Sequence, residues 1–460
     1  MTAASITLAR VAGRLSRGLG RGGGTSLPGK LLLRLRPGAV GELAAELPRG
    51  VALVSATNGK TTTARLLSAA VRRAGWRPVA NSAGANLLSG VATALLEDAR
   101  RRLRAEIGLF EVDEAALPTV AAQTRPRAVV LMNLFRDQLD RFGELETLAD
   151  GWARMVARLP EETVVVVNAD DPAVCALARG RPGTLTFGLE DPAATISALP
   201  HAADSTRCRR CAARLAYERV FLGHLGHWRC PACGEARPEP DVRAVRVRLD
   251  GIRGVDLELQ TPAGPVAARL ALPGVTSAYN ATAAVAAGLA LGLPLDATAR
   301  ALAETGPAFG RGERISLDGR EIVLLLAKNP TGANETIRTV LLDPGPVHLL
   351  AALNDRTADG HDVSWIWDVD VEPLVPRLAS LTLTGDRAYD LALRFRYAGL
   401  APEAMRVEPD LERALDAALE ATPPGSVLHV LPTYTSMLDL RARIVRRGAA
   451  DHFWRDGAGA

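Results

Sequence analysis

Gly50-Val51-Ala52-Leu53-Val54-Ser55-Ala56-Thr57-Asn58-Gly59-Lys60-Thr61-Thr62-Thr63 reads as a short apolar strand that turns through Gly-Lys-Thr into a helix. Such a loop aims backbone N–H groups and the positive end of the helix dipole at a phosphate. Gly59 lets the backbone approach closely, Lys60 is placed to bridge outer phosphates, and the Thr61 hydroxyl is placed to hold Mg2+. The general phosphate-loop pattern has glycine five residues before Gly59, where this chain has Val54.

Outward from that loop, apolar strands are expected at Ile107–Phe110, Ala128–Met132 and Thr163–Val167. The stretches Leu87–Arg104 and Glu144–Arg158 between them read as helical. This alternation predicts a mostly parallel sheet covered by helices. Polar residues at the strand ends (Glu111, Asn133 and Asn168) are site candidates, because ligands of open α/β sheets sit outside the carboxyl ends of the strands. From about residue 200 the pattern changes to short alternating strands (Val242–Leu249, Val255–Leu259, Val266–Leu272) and a small-residue helix, Ala278–Leu291. A second α/β unit is expected beyond the glycine-rich Phe309–Arg314, with strands at Ile322–Leu326, Val347–Leu353, Ser380–Thr384 and Val427–Val430 and a helix at Arg387–Tyr397. The domains are therefore read as a basic segment at 1–48, an ATP-binding domain at 49–312 and a C-terminal α/β domain at 313–460.

Composition sets bounds. A chain of 460 residues is long for one core. A net charge of +4 does not indicate nucleic-acid binding. Lysine occurs only at Lys30, Lys60 and Lys328, and every other basic residue except histidine is arginine. A lysine kept against that bias marks a place where a compact point charge is needed; Lys30 is taken as chance survival. No apolar run reaches the ~18–20 residues of a membrane span. The first residues, with Arg10, Arg14, Arg17 and Arg21 beside Ile6, Leu8, Val11, Leu15 and Leu19, read as a basic amphipathic helix. Such a helix suits either an acidic membrane surface or packing on the next domain.

Cys208-x-x-Cys211 and Cys230-x-x-Cys233, eighteen residues apart, have the spacing of a zinc ribbon, inserted at about 204–237. Four thiolates close the tetrahedron, which predicts a structural Zn2+ and a cytoplasmic setting. Cys175 is left over as a core residue.

The loop resembles that of the Mur ligases, with Ala56 in place of a glycine. The resemblance extends to Glu111 in Phe-Glu-Val-Asp-Glu and to Asn133-Leu-Phe-Arg-Asp137-Gln138-Leu-Asp140. It includes Asn168-Ala-Asp-Asp-Pro172 and Asn280 in Ala-Tyr-Asn-Ala-Thr. It implies ATP bound by Thr57, Asn58, Gly59, Lys60, Thr61, Thr62, Asn280 and Arg311, and Mg2+ held by Thr61 and Glu111. Lys60 and Glu111 are then catalytic. Gln138 replaces the family's metal-binding histidine, and no lysine between Lys60 and Lys328 could be the carbamylated one, so a second Mg2+ is not expected in the usual way.

Lys328-Asn-Pro-Thr-Gly-Ala-Asn334, the segment Leu353-Asn-Asp355-Arg-Thr-Ala-Asp359-Gly-His-Asp362-Val-Ser-Trp365-Ile-Trp367-Asp368 and Gly385-Asp-Arg-Ala-Tyr-Asp390 are similar to the MurT family. These are the Mur-ligase-like subunits of lipid II isoglutaminyl synthases. That resemblance implies activation of the D-glutamate α-carboxylate of lipid II as an acyl phosphate, amidated by ammonia from a GatD-type glutaminase. Lipid II would place the chain against the inner face of the membrane. Asp355 is the residue chosen to complete the partner's Cys–His pair, with Asp359 and Asp362 as alternatives, and capping or substrate binding as another use of the loop. A stand-alone ligase of the folylpolyglutamate synthetase kind is the competing reading. A zinc-ribbon binding protein with a decayed nucleotide site is a third, opposed by intact Lys60, Thr61 and Glu111.

Overall fold

A computed structural model describes residues 26–81, 84–101, 103–137, 145–201, 203–307 and 310–448. The predicted amphipathic N-terminal helix, Gln138, Asp140 and Phe309 lie outside the described residues.

Seven strands of the first unit run parallel: β1 (Val51–Ser55), β2 (Pro78–Ala80), β3 (Ile107–Glu111), β4 (Ala128–Leu131), β5 (Val164–Asn168), β6 (Thr184–Leu189) and β9 (Val242–Asp250). The hairpin β7 (Ala216–Leu222) and β8 (Leu225–Arg229) stands apart from this sheet. The antiparallel strands β10 (Gly254–Thr261) and β11 (Gly264–Leu270) extend it, giving the order β11-β10-β9-β6-β5-β4-β1-β3-β2. The short strands after residue 240 are thus one edge of the same nine-stranded sheet.

β1 is buried along its whole length, as a strand covered on both faces must be. Ala52 and Val54 pack into the core shared with the helix Val275–Leu291, while Val51 and Leu53 face Trp152 and the helices opposite. Val54 pairs with Glu111 and Val130 inside the sheet, so the position that carries the early glycine elsewhere belongs here to the strand. The loop is correspondingly short. Strand order reverses about β1, and such a switch point opens a crevice at the carboxyl edge.

The helix expected over Leu87–Arg104 ends at Asp98. The Asp98 carboxylate accepts the Ala105 N–H at 3.0 Å and closes a loop that turns the arginine-rich stretch back toward β3. The helix expected from Ala278 begins at Val275, because Gly274 at φ +81° turns the chain and the Glu335 carboxylate accepts the Val275 N–H at 2.5 Å.

The second unit is a six-stranded sheet in the order β12-β13-β17-β14-β15-β16. Its strands are β12 (Arg311–Leu317), β13 (Arg320–Leu325), β14 (Val347–Ala352), β15 (Leu378–Thr384), β16 (Arg406–Val407) and β17 (Val427–Pro432). Only β12 is antiparallel. Helices without a counterpart in the expected pattern include Leu295–Glu304, Pro330–Leu342, Leu411–Ala421 and Tyr434–Arg446. Asn329 caps the second of these through Gly332 N–H at 2.8 Å, with proline at the first helical position. No described helix is long and apolar enough to cross a membrane.

At the amino end, the helices Leu27–Leu35 and Leu88–Asp98 approach so closely that a Cβ on Gly29 would lie 1.8 Å from the Ser89 carbonyl oxygen. Gly29→Ala is expected to lower stability by about 1–3 kcal/mol through forced backbone shifts. Gly38→Ala, which meets nothing within 4 Å, is expected to leave the unfolding midpoint near the parent value; denaturant melts of both variants test this.

Candidate active site

Because β1, β3, β4 and β5 are parallel, their carboxyl ends deliver the loop 56–59, Glu111, Asn133 and Asn168 to one edge of the sheet. Asn133 clasps the loop: its amide oxygen accepts Asn58 N–H and its amide nitrogen donates to Asn58 O, each at 2.9 Å. Phe135 N–H donates to Thr57 Oγ1 at 3.1 Å. Gly59 sits at φ +95°, and a Cβ there would fall 2.0 Å from Asn280 Oδ1. Only glycine fits both the backbone angle and that approach.

Lys60 opens the helix Lys60–Arg73 and is 9% exposed. Its ammonium donates to Ala56 O at 2.8 Å and to Glu114 Oε2 at 3.1 Å. Burial works to lower its pKa, but Glu114, Asp137, Glu111 and Asp113 together outweigh it and hold Lys60 above the ordinary lysine value. Glu114 resists its own burial through Lys60 and Lys328 and lies below the usual range, whereas burial pushes Asp137 and Asp113 up. Lys328 pairs with Asp137 from the second unit. Two of the three lysines therefore sit in this one cluster, and Lys30 is exposed on the first described helix.

Four carboxylates (Glu111, Asp113, Glu114, Asp137) meet the two lysines and Arg311 here, and Asp137 Oδ1 is buried with no partner among the described residues. An acidic excess with an open oxygen suits a divalent cation. Thr61 is half-buried at the start of the same helix, and Thr62 is buried. The open cleft beside the loop is lined by Asn58, Gly59, Thr62, Asn280, Arg311 and Glu335 among others. Burial lowers Arg311, which faces Glu111 and Tyr434.

The two units close on this cleft through side chains. Asn58 and Asn329 exchange amide hydrogen bonds of 3.2 and 3.0 Å, beside the Lys328–Asp137 pair.

Asn168 and its neighbours serve the frame instead of the cleft. Asn168 Oδ1 accepts Asp170 N–H, and Asp171 caps the turn Pro172–Cys175 while accepting Leu134 N–H at 3.0 Å. Glu114 and Tyr434 escaped sequence reading. Glu114 had a signal, a second glutamate three residues past Glu111; Tyr434 had none, since only the folded second unit brings it toward Glu111 and Arg311.

The four ribbon thiols lie within 4.8 Å of one another. Cys208 and Cys233 are 3.6 Å apart and Cys211 and Cys230 3.5 Å, a donor set that fits one tetrahedral metal ion. Cys175 packs beside them, and burial pushes its thiol up to about 12.

In the second unit Asp355 is half-exposed at the end of β14 and pairs with Arg387 at 3.1 Å. Asp359 is buried and takes Thr435 N–H at 2.8 Å. Asp362 accepts Ser364 N–H at 2.8 Å.

Two family models match the chain: the Mur ligase middle domain over residues 54–220 and the MurT ligase C-terminal domain over 326–437. The chain is 31% identical over 455 residues to subunit MurT of the glutamine-hydrolyzing lipid II isoglutaminyl synthase of Streptococcus pneumoniae, covering 96% of this chain and 97% of that protein. The chain belongs to the MurT family. The MurT subunit of Staphylococcus aureus (strain N315) is 28% identical over 443 residues, with 96% and 97% covered. Among solved structures, a pseudomurein peptide ligase type C from Methanothermus fervidus superposes with a TM-score of 0.67 at 20% identity, covering 88% of this chain and 80% of that one. Mycobacterium tuberculosis folylpolyglutamate synthase gives 0.59 at 19% identity, covering 92% and 98%. At those identities the two structures share the fold alone, a Mur-ligase-like α/β architecture in which MurT chains carry ATP-dependent ligase chemistry.

Burial raises the Glu335 carboxyl to about 7. A carboxyl raised in the folded state contributes fully below its unfolded value near 4.5, and that contribution is lost as pH climbs toward 7. Glu335→Gln is expected to flatten the fall in unfolding temperature between pH 5 and 7.5, as thermal melts across that range would show. Cys208→Ser is expected to lower the metal bound per chain to a small fraction of the parent value, measured by metal analysis after dialysis.

Proposed function

We propose that this chain is the ligase subunit of a lipid II isoglutaminyl synthase in peptidoglycan synthesis. The observation that carries the reading is the full-length MurT relationship joined to the buried cluster in which Lys60, Glu114, Glu111 and Asp137 converge behind the loop. ATP, when bound, supplies the phosphoryl group that turns the D-glutamate α-carboxylate into an acyl phosphate with phosphate as leaving group. Lys60, which now donates to Ala56 O and Glu114, would bind the outer phosphates, and it stays charged because its carboxylate neighbours hold its pKa up. Thr61 and Glu111 would hold Mg2+, which would neutralise charge on the phosphates, and Asp137 keeps one buried oxygen without a hydrogen-bond partner among the described residues. Asn58, Gly59 and Thr62 would line the phosphates and Asn280 and Arg311 the rest of the nucleotide cleft, while Thr57 is buried behind the loop and accepts Phe135 N–H.

Ammonia then attacks the activated carboxyl. A GatD-type glutaminase is the proposed source, since all four ribbon cysteines are grouped for Zn2+ and the Cys175 thiol is too strongly held protonated to act as a nucleophile. Of the three candidate aspartates we keep Asp355 as the one that orients a partner's histidine, because it is half-exposed with only one carboxylate oxygen on Arg387, whereas Asp359 is buried on Thr435 and Asp362 holds the Ser364 N–H beside it. The surface around it suits a protein partner. The helix Ala388–Tyr397 starts at Arg387, exposes Tyr389, Leu393 and Tyr397 at four-residue intervals, and sets the Tyr397 ring 5.4 Å from exposed Trp367. Lipid II as substrate brings the complex to the membrane surface.

The chain with its glutaminase, ATP, Mg2+ and glutamine is expected to amidate lipid II, with Lys60→Ala reducing product to background. Asp355→Asn is expected to suppress turnover driven by glutamine while sparing turnover with added ammonium, followed by mass spectrometry of the stem peptide. Equal loss from both nitrogen sources would move Asp355 to the ligase site, and glutamate addition to folate by the chain alone would overturn the whole assignment.

A further inference from the structure

The ribbon is joined to the nucleotide cleft by a chain of hydrogen bonds that passes through the buried Asp170 carboxylate. Its second knuckle closes through Cys230 N–H to Glu235 O at 2.6 Å and Gly234 N–H to Cys230 O at 3.1 Å, and Arg237 N–H then returns to Trp228 O at 3.0 Å. That turn fixes the Arg237 guanidinium, which donates to Asp170 Oδ1 at 2.6 Å, Glu190 Oε1 at 2.8 Å and Leu189 O at 3.0 Å. Asp170 is fully buried, and its other oxygen accepts Leu189 N–H at 2.9 Å and the Tyr279 hydroxyl at 2.7 Å. Tyr279 precedes Asn280, whose amide oxygen presses on Gly59 and lies 3.3 Å from Thr63 Oγ1. A carboxylate removed from water needs its counter-ion and its hydrogen bonds, so the arrangement about Asp170 has little slack.

We propose that the metal-loaded ribbon sets the rotation of the helix Val275–Leu291 through Arg237 and Asp170, with Tyr279 as the positioning residue that seats Asn280 against the phosphate loop. Metal in the ribbon is then coupled to nucleotide affinity at a cleft that none of its ligands touches. Loss of the metal frees the knuckle, Arg237 leaves Asp170, and Tyr279 loses its fixed acceptor. This rests on the nucleotide occupying the Lys60 cleft.

The test is calorimetric binding of the non-hydrolysable β,γ-imido analogue of ATP, with Mg2+, to the full chain with its glutaminase. Tyr279→Phe removes one hydroxyl and keeps the ring. It is expected to weaken binding about tenfold, the scale of a lost hydrogen bond to a buried charge. The same variant should keep one zinc per chain and a KM for ATP that rises while kcat at saturation holds. Tyr217→Phe, on the ribbon but bonded to Ser205 O instead, is expected to bind like the parent. Stripping the metal should weaken the parent about tenfold or more and the Tyr279→Phe variant by a much smaller factor, since the two changes cut one path. If the stripped chain unfolds, the comparison of Tyr279→Phe with Tyr217→Phe in the metal-loaded protein decides. Parent-like binding by Tyr279→Phe, equal loss in Tyr217→Phe, or multiplying losses on stripping would overturn the coupling. Undiminished binding by Lys60→Ala would instead overturn the cleft assignment itself.

Discussion

The Lys60 ammonium is buried at the amino end of a helix, where the helix dipole itself disfavours a cation. It stays there because carboxylates from two other segments surround it, Glu111, Asp113 and Glu114 at the end of β3 and Asp137 beyond β4. Those segments arrive together only because the strands are parallel and β1 lies between β3 and β4. The sheet topology, the burial of β1 and the charge balance of the cleft are therefore one constraint. A strand reversed or displaced would leave either the lysine or the carboxylates uncompensated in a low-dielectric site, at a cost of several kcal/mol.

The second unit completes this balance. Lys328 reaches Asp137 from the loop after β13, Asn329 locks to Asn58, and Glu335 caps the helix that carries Asn280. Asn329 also caps its own helix, so one side chain fixes both the start of a helix and the approach of the two units. The ribbon wedges against the same junction: Arg338 donates to Phe221 O at 3.0 Å, and the His224 ring lies 4.8 Å from Phe135, beside the clasp of the loop.

Much of the fold was legible from residue pattern. β1, β3 and β4 are continuous buried runs and β5 is buried from its second residue, and their limits in the structure differ from the expected ones by a residue or two. The Leu87–Arg104 helix was read too long because nothing in its local pattern announces that Asp98 will accept Ala105 N–H. β6 and the hairpin β7–β8 were missed for a related reason: mixed burial along them blurs the alternation that would mark a strand. In the cleft, lysine scarcity singled out Lys60 and Lys328, and spacing alone gathered the four ribbon cysteines. Glu114, Tyr434 and the linking role of Asp170 were not legible, since each depends on what lies opposite in space.

Sequence by itself determined the strand–loop–helix unit, the cysteine framework and the alternation that makes two α/β units, because backbone geometry and side-chain type act over a few residues. Tertiary structure alone decided which carboxylate holds Lys60, that Lys328 crosses to Asp137, and that Asn168, Asp170 and Asp171 build the frame. Those outcomes rest on desolvation and on charges brought together across tens to hundreds of residues, a distance over which local pattern carries no information.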